Sequence, residues 1–379
     1  MQTLTYKYRL LPTRSQHLVL REILEAQRQL YNGALEHRIE CYRKTGHSPN
    51  RAEQSRELTI CRKEIPSMAA LSRRINGGTL QRLDEAFKHF FRRVRAGEKP
   101  GFPRFRGRGW FSCFTLDQWM GFQFRGSRLY FRGMPSGLRV HFDRPLPDTK
   151  ILTAWFKQDH KGWVIGLVIE APCAEKRGVI NRAIGIDVGL EELVATSDGL
   201  LISNPRHAKR VEQELRRRNR SLSRCKRNSK HRAKVRKQLT RLYAKVRNTR
   251  DTKLHQIASM LVNQNDMIAV EALNIKNMVR GTYAKGINDA GWGKLRRLLC
   301  YKAERAGVHF IEVDPRYTSQ TCPNCGVIKK KTRDERVHLC PCNCILHRDT
   351  AAAQIVLQRG IRIISQQGVA VLWPGNVVQ

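Results

Sequence analysis

Residues 183–189 read AIGIDVG, a short apolar run that ends in the acid Asp187 and a glycine turn. A second run, MIAV at 267–270, ends in Glu271, and VHFIEV at 308–313 is expected to form a further strand. Short apolar runs bounded by turn residues are typical of buried strands. Helical patterns at 295–305 and 350–359 accompany them, and Gly360 is expected to end the second helix. This order of strands and helices predicts an α/β core with a mixed sheet.

The N-terminal half has a different pattern. Alternating apolar and basic residues at 4–10 predict one strand, and Thr13 with Gln16 has the form of a helix capping box. Apolar residues at helical spacing then predict a helical module inserted at 13–99. Beyond a Gly- and Pro-rich break the pattern changes to strands, with a hairpin turning near His160.

Arginine and glycine alternate with aromatic residues in the segment 102–111. Such a surface suits contact with phosphates together with stacking on unpaired bases. The alternative is the core of a small barrel with solvated arginines. Both interpretations stay open for each residue of the segment.

The charge of the chain demands a polyanionic partner. The 379 residues carry 71 Lys and Arg against 32 Asp and Glu, a net charge of +39, while 41% are hydrophobic, enough to form packed cores. Residues 206–250 alone hold 19 basic side chains and two glutamates, which predicts one or two long helices that bind a polyanion. Nucleic acid is the first candidate. A membrane partner is disfavoured, because no apolar run approaches the roughly 18 residues of a span.

Five of the eleven cysteines cluster between 322 and 344, and the N-terminus lacks a signal-peptide core, so they predict a metal site and not disulfides. Two short thiolate knuckles supply the four soft ligands of a tetrahedral zinc ion and leave no open position, which indicates a structural zinc ribbon. The second knuckle offers three cysteines for two ligand positions, and two nearby histidines are less favoured as ligands. The expected ligands are Cys322, Cys325, Cys340 and Cys342, with Cys344 as the alternative to one of them and with His338 and His347 disfavoured.

Three acids occupy positions that a phosphodiesterase could use. Asp187 and Glu271 end apolar strands, and Asp349 begins a helix. Carboxylates held by a sheet can bind two Mg²⁺ ions that activate water and stabilise the leaving oxygen. Taken singly, each acid is more often a turn or cap residue, and Asp349 could simply favour a helix N-terminus. Their combination with a zinc ribbon on a very basic chain favours a nuclease.

These residues resemble the TnpB family of transposon-encoded RNA-guided nucleases, which are relatives of type V CRISPR effectors and contain a RuvC-like (RNase H-fold) nuclease. The matching motifs are GIDVG at 185–189, VEAL at 270–273, HRDTAAA at 347–353, DAGW at 289–292, TSQTC at 318–322 and RLLPT at 9–13. The sequence departs from the family pattern at a few positions, none of them an acid. Ala351 replaces the usual Asn, His347 a frequent Asp, Asn343 the usual Gly, and Cys344 is additional.

The resemblance implies a division into domains. Residues 1–12 and 100–180 would form a wedge-like β-barrel, interrupted by a helical recognition insert at 13–99. Residues 181–317 and 346–379 would form the RuvC-like nuclease domain, with the zinc ribbon at 318–345 inserted in it.

The resemblance also implies the function. The protein would be an Mg²⁺-dependent DNA endonuclease with Asp187, Glu271 and Asp349 as metal ligands, guided by an RNA from the mobile element to double-stranded DNA beside a short motif. A monomer in the bacterial or archaeal cytoplasm, at the nucleoid, is expected. The alternatives are a guided DNA binder or repressor without cleavage, and an unguided RuvC-like transposase or junction nuclease.

Overall fold

The computed structural model describes residues 2–332 and 335–372, with the side chains at 67 and 68 left aside. The chain divides into two compact units, one that ends at Ala171 and one that begins at Pro172. The sequence-predicted domains include residues 1, 333–334 and 373–379, which lie outside the described residues. No helix of the described chain is both long enough and apolar enough to cross a membrane.

The first unit contains one antiparallel sheet of seven strands and four helices. Its strands are β1 (Gln2–Leu11), β2 (Cys113–Thr115), β3 (Phe122–Arg125), β4 (Arg128–Phe131), β5 (Met134–His141), β6 (Ile151–Asp159) and β7 (Gly162–Ala171), in the order β2-β6-β7-β1-β5-β4-β3. The helices follow β1 directly and are α1 (Arg14–Thr45), α2 (Arg51–Glu64), α3 (Pro66–Ala70) and α4 (Arg73–Arg95). The predicted capping box is present, since the Gln16 amide donates to the Thr13 hydroxyl and the Thr13 amide to the Gln16 side chain.

Aromatic packing shows that this sheet is curled. Phe122 on β3 and Phe131 on β4 lie 6.3 and 5.7 Å from the ring of Phe156 on β6, although three strands separate β4 from β6 in the sheet. A flat sheet could not bring these rings together, so the sheet bends around an aromatic core. In the described residues no hydrogen-bonded pairing joins the edge strands β2 and β3, and closure into a barrel therefore stays a prediction.

The second unit contains a five-stranded mixed sheet. Its strands are β9 (Ala183–Asp187), β10 (Glu192–Thr196), β11 (Leu201–Ser203), β12 (Met267–Glu271) and β13 (His309–Val313), in the order β11-β10-β9-β12-β13. β12 runs parallel to β9 and to β13, whereas β10 is antiparallel to its neighbours. Two further pairs are β14 (Val337–Leu339) with β15 (Ile345–His347), and β8 (Val179–Ile180) with β16 (Ala370–Val371). This α/β architecture agrees with the expectation from the apolar runs.

Helices cover both faces of this sheet. The helices of the second unit are α5 (His207–Arg210), α6 (Glu212–Arg224), α7 (Lys230–Gln264), α8 (Ile275–Met278), α9 (Ala284–Ala290), α10 (Trp292–Ala306) and α11 (Arg348–Gln366), and those that pack on the sheet include α7, α10 and α11. Successive strand residues point to opposite faces. Ile184 and Ile268 therefore pack with α7 and α10, while Ala183 and Ala269 pack with α11.

The predicted end of the last helix at Gly360 is wrong. α11 continues to Gln366, and Gly360 lies buried within it. A Cβ at Gly360 would come within 2.6 Å of the Ala269 Cβ, so the glycine lets the helix approach β12 closely. Its role is to permit packing, not to end the helix.

Candidate active site and metal centre

Two of the predicted acids end neighbouring strands of the second unit. β9 and β12 are parallel, in a register that pairs Ile186 with Val270. The next residue of each strand is its last, Asp187 on β9 and Glu271 on β12. Because adjacent strands lie about 4.8 Å apart, the two acids sit side by side at the carboxyl edge of the sheet.

The third acid reaches the same edge through helix packing. Gly185 lies directly against α11, since a Cβ there would stand 2.0 Å from the carbonyl oxygen of Ala353. Asp349 precedes Ala353 by one helical turn, in the first turn of α11. Gly189 borders the same carboxylate, because a Cβ on this residue would lie 3.9 Å from Asp349 Oδ2. Asp349 thus joins Asp187 and Glu271 although it lies at least 78 residues later in the sequence.

The surroundings of Asp187 and Glu271 raise the pKa of both carboxyl groups. Burial, followed by repulsion from Glu271 and Asp349, raises the pKa of Asp187 well above its usual value. Burial also raises the pKa of Glu271, against the effects of a hydrogen bond from Thr318 and of the nearby Arg359. A divalent cation among the acids would relieve this repulsion and favour their ionised forms.

The carboxylates are hard oxygen donors, which is the set that Mg²⁺ prefers. In the described chain, groups of three ligand atoms that all lie within 4.8 Å of one another occur among the cysteines, not among these acids. Oxygens bound to one Mg²⁺ are at most about 4.2 Å apart, since each Mg–O bond is about 2.1 Å. The chemistry of the donor set therefore fits Mg²⁺.

Neighbouring side chains hold this edge in place. The hydroxyl group of the buried Thr318 donates a hydrogen bond to Glu271 Oε1. The Trp292 indole donates to the Gly189 carbonyl (3.2 Å) and fixes the turn after Asp187. Arg359 is anchored by the carbonyls of Asp314 and Arg316, at 2.6 and 2.8 Å.

Thr318 belongs to the TSQTC motif at 318–322, and no individual role was predicted for it from the sequence. Its position offered a signal. The segment that contains Thr318 follows the carboxyl end of β13. Because β13 is parallel to β12, this segment begins at the sheet edge where Glu271 lies. A small hydroxyl residue at such a place is a candidate for orienting a carboxylate.

The predicted zinc ligands meet in a second cluster. The Sγ atoms of Cys322 and Cys342 are 3.6 Å apart, and those of Cys325 and Cys340 are 3.4 Å apart. All four Sγ atoms lie within 4.8 Å of one another. Thiolates on a tetrahedral zinc ion with bonds of about 2.3 Å are about 3.8 Å apart. The cluster is therefore compatible with a structural zinc ion.

A second group of potential zinc ligands shares Cys322 with the four-cysteine cluster. Cys322, His338 and Cys344 also place their ligand atoms within 4.8 Å of one another. The turn between Cys342 and Cys344 contains Asn343, whose φ is 59°. Asn tolerates this left-handed conformation better than most residues, which explains how it can occupy a position where the family usually has Gly. Cys344 thus remains an alternative ligand.

The aromatic segment 102–111 divides into two groups. The Phe111 side chain is buried, whereas Phe105 is 55% and Trp110 78% exposed. The Arg106 backbone is fixed in the first unit by the Asn32 side chain, which accepts from its amide and donates to its carbonyl. The core interpretation therefore holds for Phe111, and the exposed rings remain available for stacking.

Three family models match separate parts of the chain. One described as a probable transposase matches residues 167–282, and one described as a Cas12f1-like TNB domain matches 292–356. A third, described as a helix-turn-helix domain, matches 1–47. In the structure that last region forms β1 and the single long helix α1, so its description does not give the fold here.

Two bacterial relatives align with most of the chain. A protein of Streptomyces pristinaespiralis, named as a candidate RNA-guided DNA endonuclease, is 28% identical over 363 residues, 94% of this chain and 89% of that protein. The candidate RNA-guided DNA endonuclease InsQ of Escherichia coli K12 is 28% identical over 317 residues, which are 79% of this chain and 76% of the length of InsQ. The CRISPR-associated Cas12f1 of Sulfoacidibacillus thermotolerans is 29% identical over 99 residues, 26% of this chain and 24% of its own.

Two solved structures share the fold. The Cas12f1 chain in a complex with sgRNA and target DNA matches with a TM-score of 0.59 and 15% identity, over 91% of this chain and 83% of that chain. The mini RNA-guided endonuclease Cas_phi3 matches with a TM-score of 0.51 and 9% identity, over 94% and 92% of the two chains.

Proposed function

The chain belongs to the TnpB family, and on that premise we propose that it is an RNA-guided, Mg²⁺-dependent DNA endonuclease of a mobile element. Its relatives from Streptomyces and Escherichia, which carry RNA-guided DNA endonuclease in their names, align along most of its length. The observation that carries the nuclease assignment is the meeting of Asp187, Glu271 and Asp349 at one sheet edge.

In this proposal the three acids hold two Mg²⁺ ions. Bound there, Mg²⁺ would supply a Lewis acid for the phosphodiester oxygens and an acidified water. Asp187 and Glu271 provide rigid ligands because both end core strands, and the Thr318 hydroxyl orients the Glu271 carboxylate. Arg359, whose charge also lowers the pKa of Glu271, is placed to attract the phosphodiester.

The same proposal specifies the domains. Residues 181–317 and 346–379 would be the RuvC-like, RNase H-like nuclease, a placement supported by the mixed sheet with its acids at the carboxyl edge. Residues 318–345 would be the zinc ribbon, with Cys322, Cys325, Cys340 and Cys342 as ligands. Residues 1–12 and 100–180 would be the wedge barrel, and 13–99 the helical recognition insert; the curled sheet and four helices of the first unit support this.

The partners would be an RNA transcribed from the mobile element and a target DNA duplex beside a short motif. The net charge of +39 supports a protein that works with nucleic acid bound. The protein would act as a monomer in the bacterial or archaeal cytoplasm, at the nucleoid.

The test is to express the chain with its native flanking DNA, sequence the RNA that copurifies, and assay cleavage of a matching plasmid. We expect one discrete RNA and Mg²⁺-dependent cutting that requires both that RNA and a matching target. Asp187→Asn should abolish cutting and keep RNA binding, while Asp198→Asn, at an exposed acid of the same unit, should cut normally.

Each other outcome identifies an alternative. Cutting without RNA would indicate an unguided transposase or junction nuclease and would refute the guided mechanism. Guided binding without cutting would indicate a repressor. Retained cutting by Asp187→Asn would refute the active-site assignment.

A further inference from the structure

Helices α6 and α7 form an arm outside the hydrophobic cores of the second unit. None of the described residues 206–250 belongs to either core cluster of this unit, and α6 has no buried residue. Core packing of α7 begins only at Leu254. With 35 residues α7 is about 52 Å long, so much of its N-terminal half is left to pair with α6.

Hydrogen bonds hold the two helices of the arm together. Arg218 on α6 donates to Glu214 (2.8 Å) and, across to α7, to Gln238 (2.7 Å). Arg232 on α7 donates to the Leu222 carbonyl at the end of α6 (2.6 Å). The arm therefore has a defined shape that can present side chains in a fixed arrangement.

The arm contains an open basic cleft of about 900 Å³. The basic residues that line it are all exposed: Arg216, Arg217, Arg220, Arg224, Lys226 and His231. Arg216 pairs with Glu212. In the part of the chain that the structure describes, no carboxylate pairs with Arg217, Arg220 or Arg224, which leaves these three cations available for a ligand.

The spacing of these cations suits a phosphate backbone. Arg217, Arg220 and Arg224 lie three and four residues apart and thus on one face of α6. Their axial separations are about 4.5 and 6 Å, comparable with the spacing of neighbouring phosphates along a strand. Like charges at these positions destabilise a helix unless an anion neutralises them.

We propose that the cleft of the α6–α7 arm binds the backbone of the guide RNA and keeps it bound throughout the working life of the protein. This inference rests on the proposed function. A helix with no buried residue and with unpaired cations is stabilised by a permanent anionic partner. In the proposed function the guide RNA must be bound before a matching target can be selected. All five basic residues of α6 are arginines. Their planar guanidinium groups bind phosphate with two hydrogen bonds and stack on the unpaired bases that folded RNA exposes.

The test compares two triple variants of the full chain. R217Q/R220Q/R224Q removes the cleft cations and keeps good helix formers. The matched control R297Q/R305Q/R362Q removes three exposed arginines from α10 and α11. The measurements are the affinity for the copurified RNA and for a DNA duplex of equal length, each over a range of salt concentrations, and the melting temperature of the RNA-free protein.

Loss of three phosphate contacts should lower the salt slope for RNA by about 2–3 and weaken RNA binding by about tenfold or more. The control should change the affinity much less, and both triple variants should bind duplex DNA equally well. The RNA-free cleft variant should melt no lower than wild type, because repulsion along α6 is removed. An RNA affinity and slope equal to those of the control would overturn the proposal. An equal loss for duplex DNA would assign the cleft to DNA instead.

R217K/R220K/R224K covers the case in which the glutamine variant fails to fold. It keeps the charge and should keep the salt slope, yet bind RNA several-fold more weakly because the planar groups are lost. Wild-type RNA affinity in this variant would refute the arginine-specific contact. If the wild type shows no guided cutting while the cleft variant loses RNA binding, the nuclease assignment alone is refuted. If the wild type cuts with its RNA while the cleft variant binds RNA as well as the control does, this inference alone is refuted.

Discussion

Replacement of Gly185 by alanine tests how α11 positions an acid of the candidate active site. A Cβ at this position would lie 2.0 Å from the Ala353 carbonyl oxygen and 2.7 Å from the Leu357 amide nitrogen. Both are backbone atoms of α11, so no change of rotamer can relieve the clash. Since ordinary contact begins near 3.4 Å, the helix must move from β9 by roughly 1.4 Å.

This movement has consequences for cleavage and for stability. Asp349 lies one turn from Ala353 and moves with the helix, and a misplacement of about 1 Å in a catalytic group can cost about 100-fold in rate. Overpacking typically costs about 1–3 kcal/mol of the free energy of unfolding, less than the roughly 5–15 kcal/mol of a typical protein. We therefore expect Gly185→Ala to fold and bind RNA but to cut DNA about 100-fold more slowly.

The assay is single-turnover cleavage of a matching target with saturating RNA and Mg²⁺, together with thermal unfolding. Gly178→Ala is the matched control, because a Cβ at Gly178 would have no atom within 4 Å. This control should cut and unfold like the wild type. If Gly185→Ala cut within about threefold of the wild-type rate, contact between α11 and β9 would not fix Asp349, and the reasoning would be refuted.

Three further predictions concern the acids and the thiols. Because burial and repulsion from Glu271 raise the pKa of Asp187 above its usual value of 3.8, ionising this acid destabilises the fold when no Mg²⁺ is bound. In Mg²⁺-free buffer, Asp187→Asn should therefore melt higher than wild type, by a margin that grows as pH rises above about 4; an equal or lower melting temperature for the variant would contradict the raised pKa. Thr318→Val removes the hydrogen-bond donor to Glu271, so the Mg²⁺ concentration for half-maximal cutting should rise about tenfold, with rescue by Thr318→Ser; an unchanged Mg²⁺ titration would contradict this role. Cys322→Ser should lose the zinc ion measured by elemental analysis and should lower stability, whereas Cys344→Ser should keep one zinc per chain; zinc loss from the latter would assign Cys344 as the ligand.

Local patterns were sufficient to predict most elements of the second unit. The segments 183–187, 267–271 and 309–313 are strands as expected, and the knuckle cysteines form a cluster. Each of these features depends on residues close in sequence. The helix end at Gly360 was predicted wrongly, because a glycine that ends a helix and one that packs against a strand look the same in one dimension.

The curl of the first sheet could not be predicted in the same way. It depends on contacts of Phe156 with rings that come before it by 34 and 25 residues. Likewise, the pattern of residues 102–111 favoured neither burial nor exposure for Phe111 and Trp110, and packing placed Phe111 in the core and Trp110 in solvent.

The chemistry that this protein can offer was predictable from residue types and their order: three acids beside apolar strands and a helix, two thiolate knuckles, and a large positive charge. Residue type and short-range spacing suffice for that, because metal preference and charge are properties of the side chains themselves. Which of these groups meet depends on the folded arrangement of the chain. The parallel register of β9 and β12 places Glu271 beside Asp187, the absent side chain of Gly185 lets α11 bring Asp349 to them, and Thr318 turns out to hold Glu271. These are contacts between segments distant in sequence, and they are fixed by close packing of backbone against backbone, which no local pattern records.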